Sequence, residues 1–256
     1  MTGKDSFRVG KADISAKSVN EVADLVREYI SHKKSGYICV SNMRTVVIAD
    51  NDKEYRDVMN NSICNTADGT PLVWCGHLSG QRKMKRCCGT DIMTSLLSEQ
   101  NLSHFFLGDT DETLDKLIEI CKGKYGSVVA GKYSPPFLPL EQYDIPEMAA
   151  MIKESKADIV WTSLRAPKQD FLNSMLFTYL DNGVVLIGVG AAFRFITGEY
   201  VLDKGPLQKI GLGGLKCLRN TSFFKELFWY IKHAAYLCKF IVKIIYNKLF
   251  SRDDNK

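Results

Sequence analysis

Asp68 is the side chain in this sequence best placed to move a proton. It stands in Ala67-Asp68-Gly69-Thr70-Pro71, a glycine-flexed bend between two apolar runs. Two roles are open to a carboxylate there: capping the helix that Pro71 helps to start, or taking a proton from a hydroxyl as a bond forms to it. Other polar groups fall at comparable places. Asn42 closes the run Ile38-Cys39-Val40-Ser41, and Gln169 lies in Ala166-Pro167-Lys168-Gln169-Asp170. Arg86 precedes Gly89 and the second acid, Asp91, at a helix start, where a cation, flexible backbone and free amides are the parts of a phosphate site. Gly190 belongs to Gly188-Val189-Gly190, a glycine turn that lacks the full spaced fingerprint of a dinucleotide fold and reads as close backbone packing.

The elements needed to gather these residues are those of a parallel sheet. Strands are expected at Tyr37–Val40, within His104–Asp109 as a strand and turn, and at Ser127–Gly131, Asp158–Thr162 and Val184–Gly190, alternating with stretches of helical periodicity. Ser18 with Glu21, and Asp144 with Glu147, read as capping boxes, and Asp52 as a further helix cap. The residues before Ser18 read as a polar leader. Alternating strands and helices predict an α/β fold, Rossmann-like, with a mostly parallel sheet flanked by helices. Such sheets put ligands outside the carboxyl ends of their strands, where these polar residues fall.

The chain has 256 residues, 45% hydrophobic and 25% charged, enough for one large domain with an appendage. Its eight cysteines sit mostly in apolar stretches, without a CxxC pair, and no signal peptide precedes the polar start. These features predict a reducing cytoplasm and no metal site. The net charge is +5, and the basic excess gathers from Lys204 onward on a slightly acidic body. A boundary is expected there, with a body at 1–203 and an appendage at 204–256.

Taken in order, several stretches resemble the WecG/TagA/CpsF family of glycosyltransferases, from about residue 8 to about residue 215. They are Asn42; Ala67-Asp68-Gly69; Arg86 with Gly89 and Asp91; Phe106-Leu107-Gly108; Ala166-Pro167-Lys168-Gln169-Asp170; Gly188-Val189-Gly190-Ala191-Ala192-Phe193 with Gly198; and Lys204-Gly205-Pro206 leading to Gly211-Leu212. The resemblance implies inverting transfer of a hexose, N-acetylmannosamine-type or related, without metal or cofactor. The donor would be a UDP-sugar and the acceptor a polyprenyl-diphosphate-linked sugar. The setting would be the cytoplasmic face of the bacterial plasma membrane, in synthesis of teichoic acid or another cell-surface polysaccharide.

The resemblance turns Asp68 from a helix cap into the catalytic base. Asn42, Arg86, Gly89, Asp91, Gln169 and Gly190 become substrate-binding residues. Asn42 and Gln169 carry both donors and acceptors, suited to sugar hydroxyls or a base. Arg86 suits the leaving diphosphate. Arg194 stands where the family usually has an Asp after the Phe, which reverses a charge.

The stretch from Thr221 to Phe250 is rich in aromatic and aliphatic residues, interrupted too often by charge to span a membrane. On an ideal helix Lys225, Lys232, Lys239 and Lys243 fall within roughly 40° of one another, flanked by Trp229 and Tyr236. A basic stripe on a broad apolar helix is the pattern of a segment lying on an anionic membrane. A helix packed on the body with its lysines in water has the same pattern, and one helix can do both. Nucleic acid is disfavoured, because the bulky aliphatics would be exposed on it. The alternatives to transfer are a catalytically silent partner of a membrane glycosyltransferase and another Rossmann-like nucleotide enzyme.

Overall fold

Tyr37, Ile38, Cys39 and Val40 follow one another without the polar alternation of a half-exposed strand, and strand β3 (Gly36–Ser41) is buried along its whole length. The same holds for β7 (Ile159–Ser163) and β8 (Val185–Gly188). Strands of this kind are stable only in a sheet covered on both faces. A computed structural model, describing residues 5–181, 183–201 and 223–250, provides that sheet. Six parallel strands run in the order β4-β3-β8-β7-β5-β6, with β4 at Cys64–Ala67, β5 at Ser103–Gly108 and β6 at Val128–Tyr133.

Between the strands lie α1 (Val19–Ser31), α2 (Met43–Asn51), α3 (Lys53–Asn61), α4 (Thr70–Leu78), α5 (Gly89–Leu97), α6 (Asp111–Ile120), α7 (Ile145–Ser155), α8 (Lys168–Phe177) and α9 (Ala192–Ile196). Helices α1, α5, α6 and α9 pack together on one face, around Leu96, Phe106, Trp161 and Phe193. Helices α3, α7 and α8 pack on the other, around Phe105, Val160, Leu172 and Leu186. The helices after β3 therefore take one face, while α9, after the neighbouring β8, takes the other. That divergence opens a crevice at the carboxyl ends of β3 and β8.

The expected helix starts are present. Ser18 and Glu21 form a reciprocal capping box, and Asp52 accepts from the Tyr55 amide. Asp144 accepts from the Glu147 amide, the forward half of the expected box. Helix α5 begins at Gly89, at the helix start expected around Gly89 and Asp91.

Two corrections concern strands. The polar leader is an antiparallel hairpin, β1 (Ser6–Val9) with β2 (Ala12–Ser15). Its Phe7, Val9, Ala12 and Ile14 are buried in a third core with Met43, Val46, Tyr55 and Leu72. The other is β4, whose Cys-Asn-Thr-Ala sequence carries no large aliphatic. It is buried because β3 pairs with it and the hairpin lies against it, with Asn65 Nδ2 donating to the Asp13 carbonyl at 2.9 Å.

The last described element, α10 (Phe223–Phe250), is one long helix packed against α2 and α4. Phe240 is buried in the third core. Among the described residues, no helix is long and apolar enough to cross a membrane.

Candidate active site

The crevice holds a cleft of about 360 Å³ lined by the ends of four adjacent strands. From β4 comes Asp68; from β3 and the start of α2 come Val40, Asn42, Arg44 and Thr45; from β8 comes the turn 188–191; and from β7 and the start of α8 come Arg165, Ala166 and Gln169. Four of the sequence-predicted residues thus meet in one place: Asp68, Asn42, Gln169 and Gly190. Among the described residues no cluster of His, Cys, Asp or Glu side chains is arranged to hold a metal ion.

Asp68 is held by its backbone, whose N–H donates to the Ser41 carbonyl at 2.7 Å and fastens the end of β4 to that of β3. Its side chain does not cap the following helix. The cap position of α4 belongs to Gly69 and receives no side-chain hydrogen bond. Burial pushes the Asp68 carboxyl up to about 6, against the opposing pull of Arg86 and with a smaller push from Asp91. A carboxyl in that range is ionised near neutral pH yet basic enough to accept a proton from a reacting hydroxyl.

Arg86, Gly89 and Asp91 do not line the cleft. Arg86 and Asp91, both exposed, act on Asp68 through their charge. The loop carrying Arg86 into α5 is fixed to β4 by the Cys87 N–H, which donates to the Ala67 carbonyl at 2.9 Å, and by the Thr66 hydroxyl, which donates to the Cys87 carbonyl at 3.2 Å. Gly89 lets α5 press on the turn after β8: a Cβ there would lie 2.9 Å from the Val189 carbonyl oxygen.

Asn42 caps α2, its Oδ1 accepting from the Arg44 and Thr45 amides at 3.0 and 3.3 Å. It is exposed at the cleft mouth. Gln169, only 2% exposed, accepts from the Gly190 N–H at 3.1 Å through Oε1. The Gly190 carbonyl accepts from the Ser163 hydroxyl at 2.7 Å. Both backbone groups of Gly190 are therefore used inside the protein, and this glycine shapes the turn. At Gly188 a Cβ would come within 2.8 Å of Gln169 Nε2, so a larger residue there would displace the Gln169 amide.

Beneath the cleft Asp170 is 1% exposed, with Oδ2 accepting from the Tyr55 hydroxyl at 2.6 Å and Oδ1 without a hydrogen-bond partner. Burial pushes this carboxyl up to about 7, Tyr55 opposing. It lies outside the cleft lining.

Arg44 and Arg165 escape a reading of the sequence, where each resembles an ordinary surface cation. Both are exposed on the cleft walls. A local signal exists only in the chain context, since each lies within a few residues of a motif residue, Asn42 or Gln169. Arg194 is accounted for by Asp109, to which it donates from Nη2 at 2.8 Å and from Nε at 3.1 Å. Its reversed charge is neutralised at the end of β5, away from the cleft lining.

On α10, Tyr236 and Lys239 reach the body: the Asn51 amide donates to the Tyr236 hydroxyl at 3.2 Å, and Lys239 lies 3.4 Å from Asp50. Lys243 is exposed. The side chains of Lys225, Trp229 and Lys232 lie outside the described residues, as do Lys204-Gly205-Pro206 and Gly211-Leu212.

Residues 7–247 match the Glycosyl transferase WecG/TagA/CpsF family. The chain is 25% identical over 228 residues to the N-acetylglucosaminyldiphosphoundecaprenol N-acetyl-beta-D-mannosaminyltransferase of Bacillus subtilis, an alignment covering 86% of this chain and 83% of that enzyme. It is 21% identical over 210 residues to the Staphylococcus aureus enzyme of the same name, covering 77% and 80%.

Proposed function

Because the chain belongs to the WecG/TagA/CpsF family of glycosyltransferases, we propose that it transfers an N-acetylmannosamine-type hexose from a UDP-sugar to a polyprenyl-diphosphate-linked sugar, with inversion. The relatives' names supply the sugar and the lipid-linked acceptor. The observation that carries the reading is Asp68, a carboxyl pushed up to about 6 inside a cleft formed by four strand ends.

In this reading an acceptor hydroxyl attacks the anomeric carbon on the face opposite the diphosphate. As the new C–O bond forms, Asp68 takes the hydroxyl proton, and the bond to the diphosphate breaks with its electron pair leaving on UDP. Asn42 meets substrate at the cleft mouth, and Gln169 with Gly190 holds the turn that the donor lies against. Arg86 and Asp91 set the basicity of Asp68 from outside the cleft.

The body, residues 1–203, does the chemistry, and the appendage, 204–256, meets the cytoplasmic face of an anionic membrane through Lys225, Trp229, Lys232 and Lys243, with Tyr236 and Lys239 at the junction with the body. The acceptor's lipid requires such a meeting. Reversing Lys225, Lys232 and Lys243 to Glu leaves Phe240 in its core position and is expected to abolish binding to phosphatidylglycerol-containing liposomes. Unchanged binding would sink the membrane assignment.

The reaction is tested by incubating the protein with a panel of UDP-sugars and a short-chain polyprenyl-diphosphate-N-acetylglucosamine acceptor. Transfer is expected with the N-acetylmannosamine donor and not with the Asp68→Asn variant. If no donor supports transfer, the chain is a silent partner of another transferase.

A further inference from the structure

Three of the described arginines, Arg8, Arg27 and Arg194, close on a carboxylate at 2.7 to 2.8 Å. Arg44 and Arg165 behave otherwise. Both line the cleft and both are exposed, and neither forms an ion pair with any described residue. Arg44, at the start of α2, follows β3 and Arg165 follows β7, the two strands that flank β8. At a strand spacing of about 4.8 Å those two strands lie about 10 Å apart, and two long side chains lining one cleft beyond their ends can reach a small anion between them. Between them runs the glycine turn 188–190.

Arg165 carries a second mark. Its φ is +62°, in the left-handed region that a residue with a Cβ adopts only at a cost. Strain of this kind, held at the wall of a cleft by a side chain with no ion-pair partner among the described residues, points to a use for that side chain. Arg86, by contrast, lies outside the cleft lining.

We propose that Arg44 and Arg165 form a two-sided guanidinium clamp on the diphosphate of the sugar donor, across the glycine turn after β8. The assignment deepens the UDP-sugar reading and rests on it for the identity of the ligand. Planar guanidinium groups match phosphate oxygens in pairs, and two of them oppose the charge that develops on the diphosphate as it leaves. The order across the strand ends is then Asp68, Arg44, glycine turn, Arg165. The base stands at one end of the row and the clamp spans the positions beyond it, so that the acceptor and the leaving diphosphate can approach a sugar from different sides.

Calorimetric titration of the full chain with UDP and, separately, with inorganic pyrophosphate tests the clamp. Arg44→Gln and Arg165→Gly are each expected to weaken both probes by about tenfold or more, and the double variant by more than either. Arg165→Gly relieves the left-handed strain, so its melting temperature is expected to rise while its affinity falls; a merely structural arginine would not separate the two. If both variants bind UDP as the wild type does, the clamp is overturned and the UDP-sugar reading stands. If the wild type binds pyrophosphate through these arginines but not UDP, the clamp stands and the uridine donor falls. A wild type that binds neither probe overturns the clamp, and the transfer assay then decides the reaction separately.

Discussion

Two strands of one sheet end in an aspartate with an arginine nearby, and the two pairs behave in opposite ways. At the end of β5 burial alone would lift the Asp109 carboxyl, but Arg194 and the Thr110 amide outweigh it and hold the group below its usual range. At the end of β4 burial wins. Arg86 acts from an exposed loop, makes no ion pair with Asp68, and leaves that carboxyl at about 6. The same two residue types thus give a neutralised pair in one place and a group that can take a proton in the other. Contact geometry decides between them. A charge in hydrogen-bonding contact stabilises a carboxylate far more than one acting through solvent.

The largest effect expected from this contrast is on catalysis. Asp68→Asn should lower transfer by about 10²- to 10⁴-fold without lowering stability at neutral pH, since it removes a carboxylate whose charged form the fold disfavours. The linkage has a definite sign. Because the folded value of Asp68 is raised, its ionisation costs stability above about pH 6, and that cost is relieved as pH falls through 6 toward the unfolded value. The difference in melting temperature between wild type and Asp68→Asn should therefore shrink on acidification. A difference that grows instead would break the comparison.

A middle-sized effect concerns the distant cation. Arg86→Gln removes the pull that opposes burial, so the acid limb of the rate profile should move to higher pH. Transfer at pH 6 is expected to fall several-fold while transfer at pH 8 holds. A uniform loss at every pH would show that Arg86 touches substrate and does not merely set the basicity of Asp68.

The smallest effect should come from the other pair. Asp109→Asn keeps a residue type that tolerates the φ of +60° at this position and is expected to cost about 1 to 2 kcal/mol, read by urea unfolding. Transfer should change little. Its pH signature is opposite to that of Asp68: the stabilisation by Asp109 is complete above the unfolded carboxylate value and is lost as pH falls through the lowered folded value. If Asp109→Asn abolished transfer with stability intact, the pair would belong to the reacting site.

Much of the scaffold could be read in advance because its signals are local. Strand β3 is an unbroken apolar run, α1 opens with its capping box, and the bend at Asp68 carries its own glycine and proline. The hairpin β1–β2 could not be read in this way. Its alternation covers four residues per strand, and its burial depends on helices that follow later in the chain. Strand β4 was hidden for a related reason, since Cys64, Asn65, Thr66 and Ala67 acquire strand character from β3 and the hairpin. Within the site, Asp68, Asn42, Gln169 and Gly190 could be found from ordered motifs. Arg44 and Arg165 could not, because a cleft-lining arginine and a solvated surface arginine look alike in sequence.

By itself the sequence determined the alternation of most strands and helices from α1 onward, the bend that carries Asp68, and membership of a glycosyltransferase family. These follow from periodicity, caps and turn residues within a few positions of one another, and from motifs in a fixed order. Which arginine meets which acid was decided only by the tertiary structure. Arg194 reaches Asp109 across 85 residues of chain, and Arg44 and Arg165 face one cleft only because β3 and β7 flank β8 in the sheet. Contacts of that kind depend on strand order and side-chain reach, neither of which is written in the spacing along the chain.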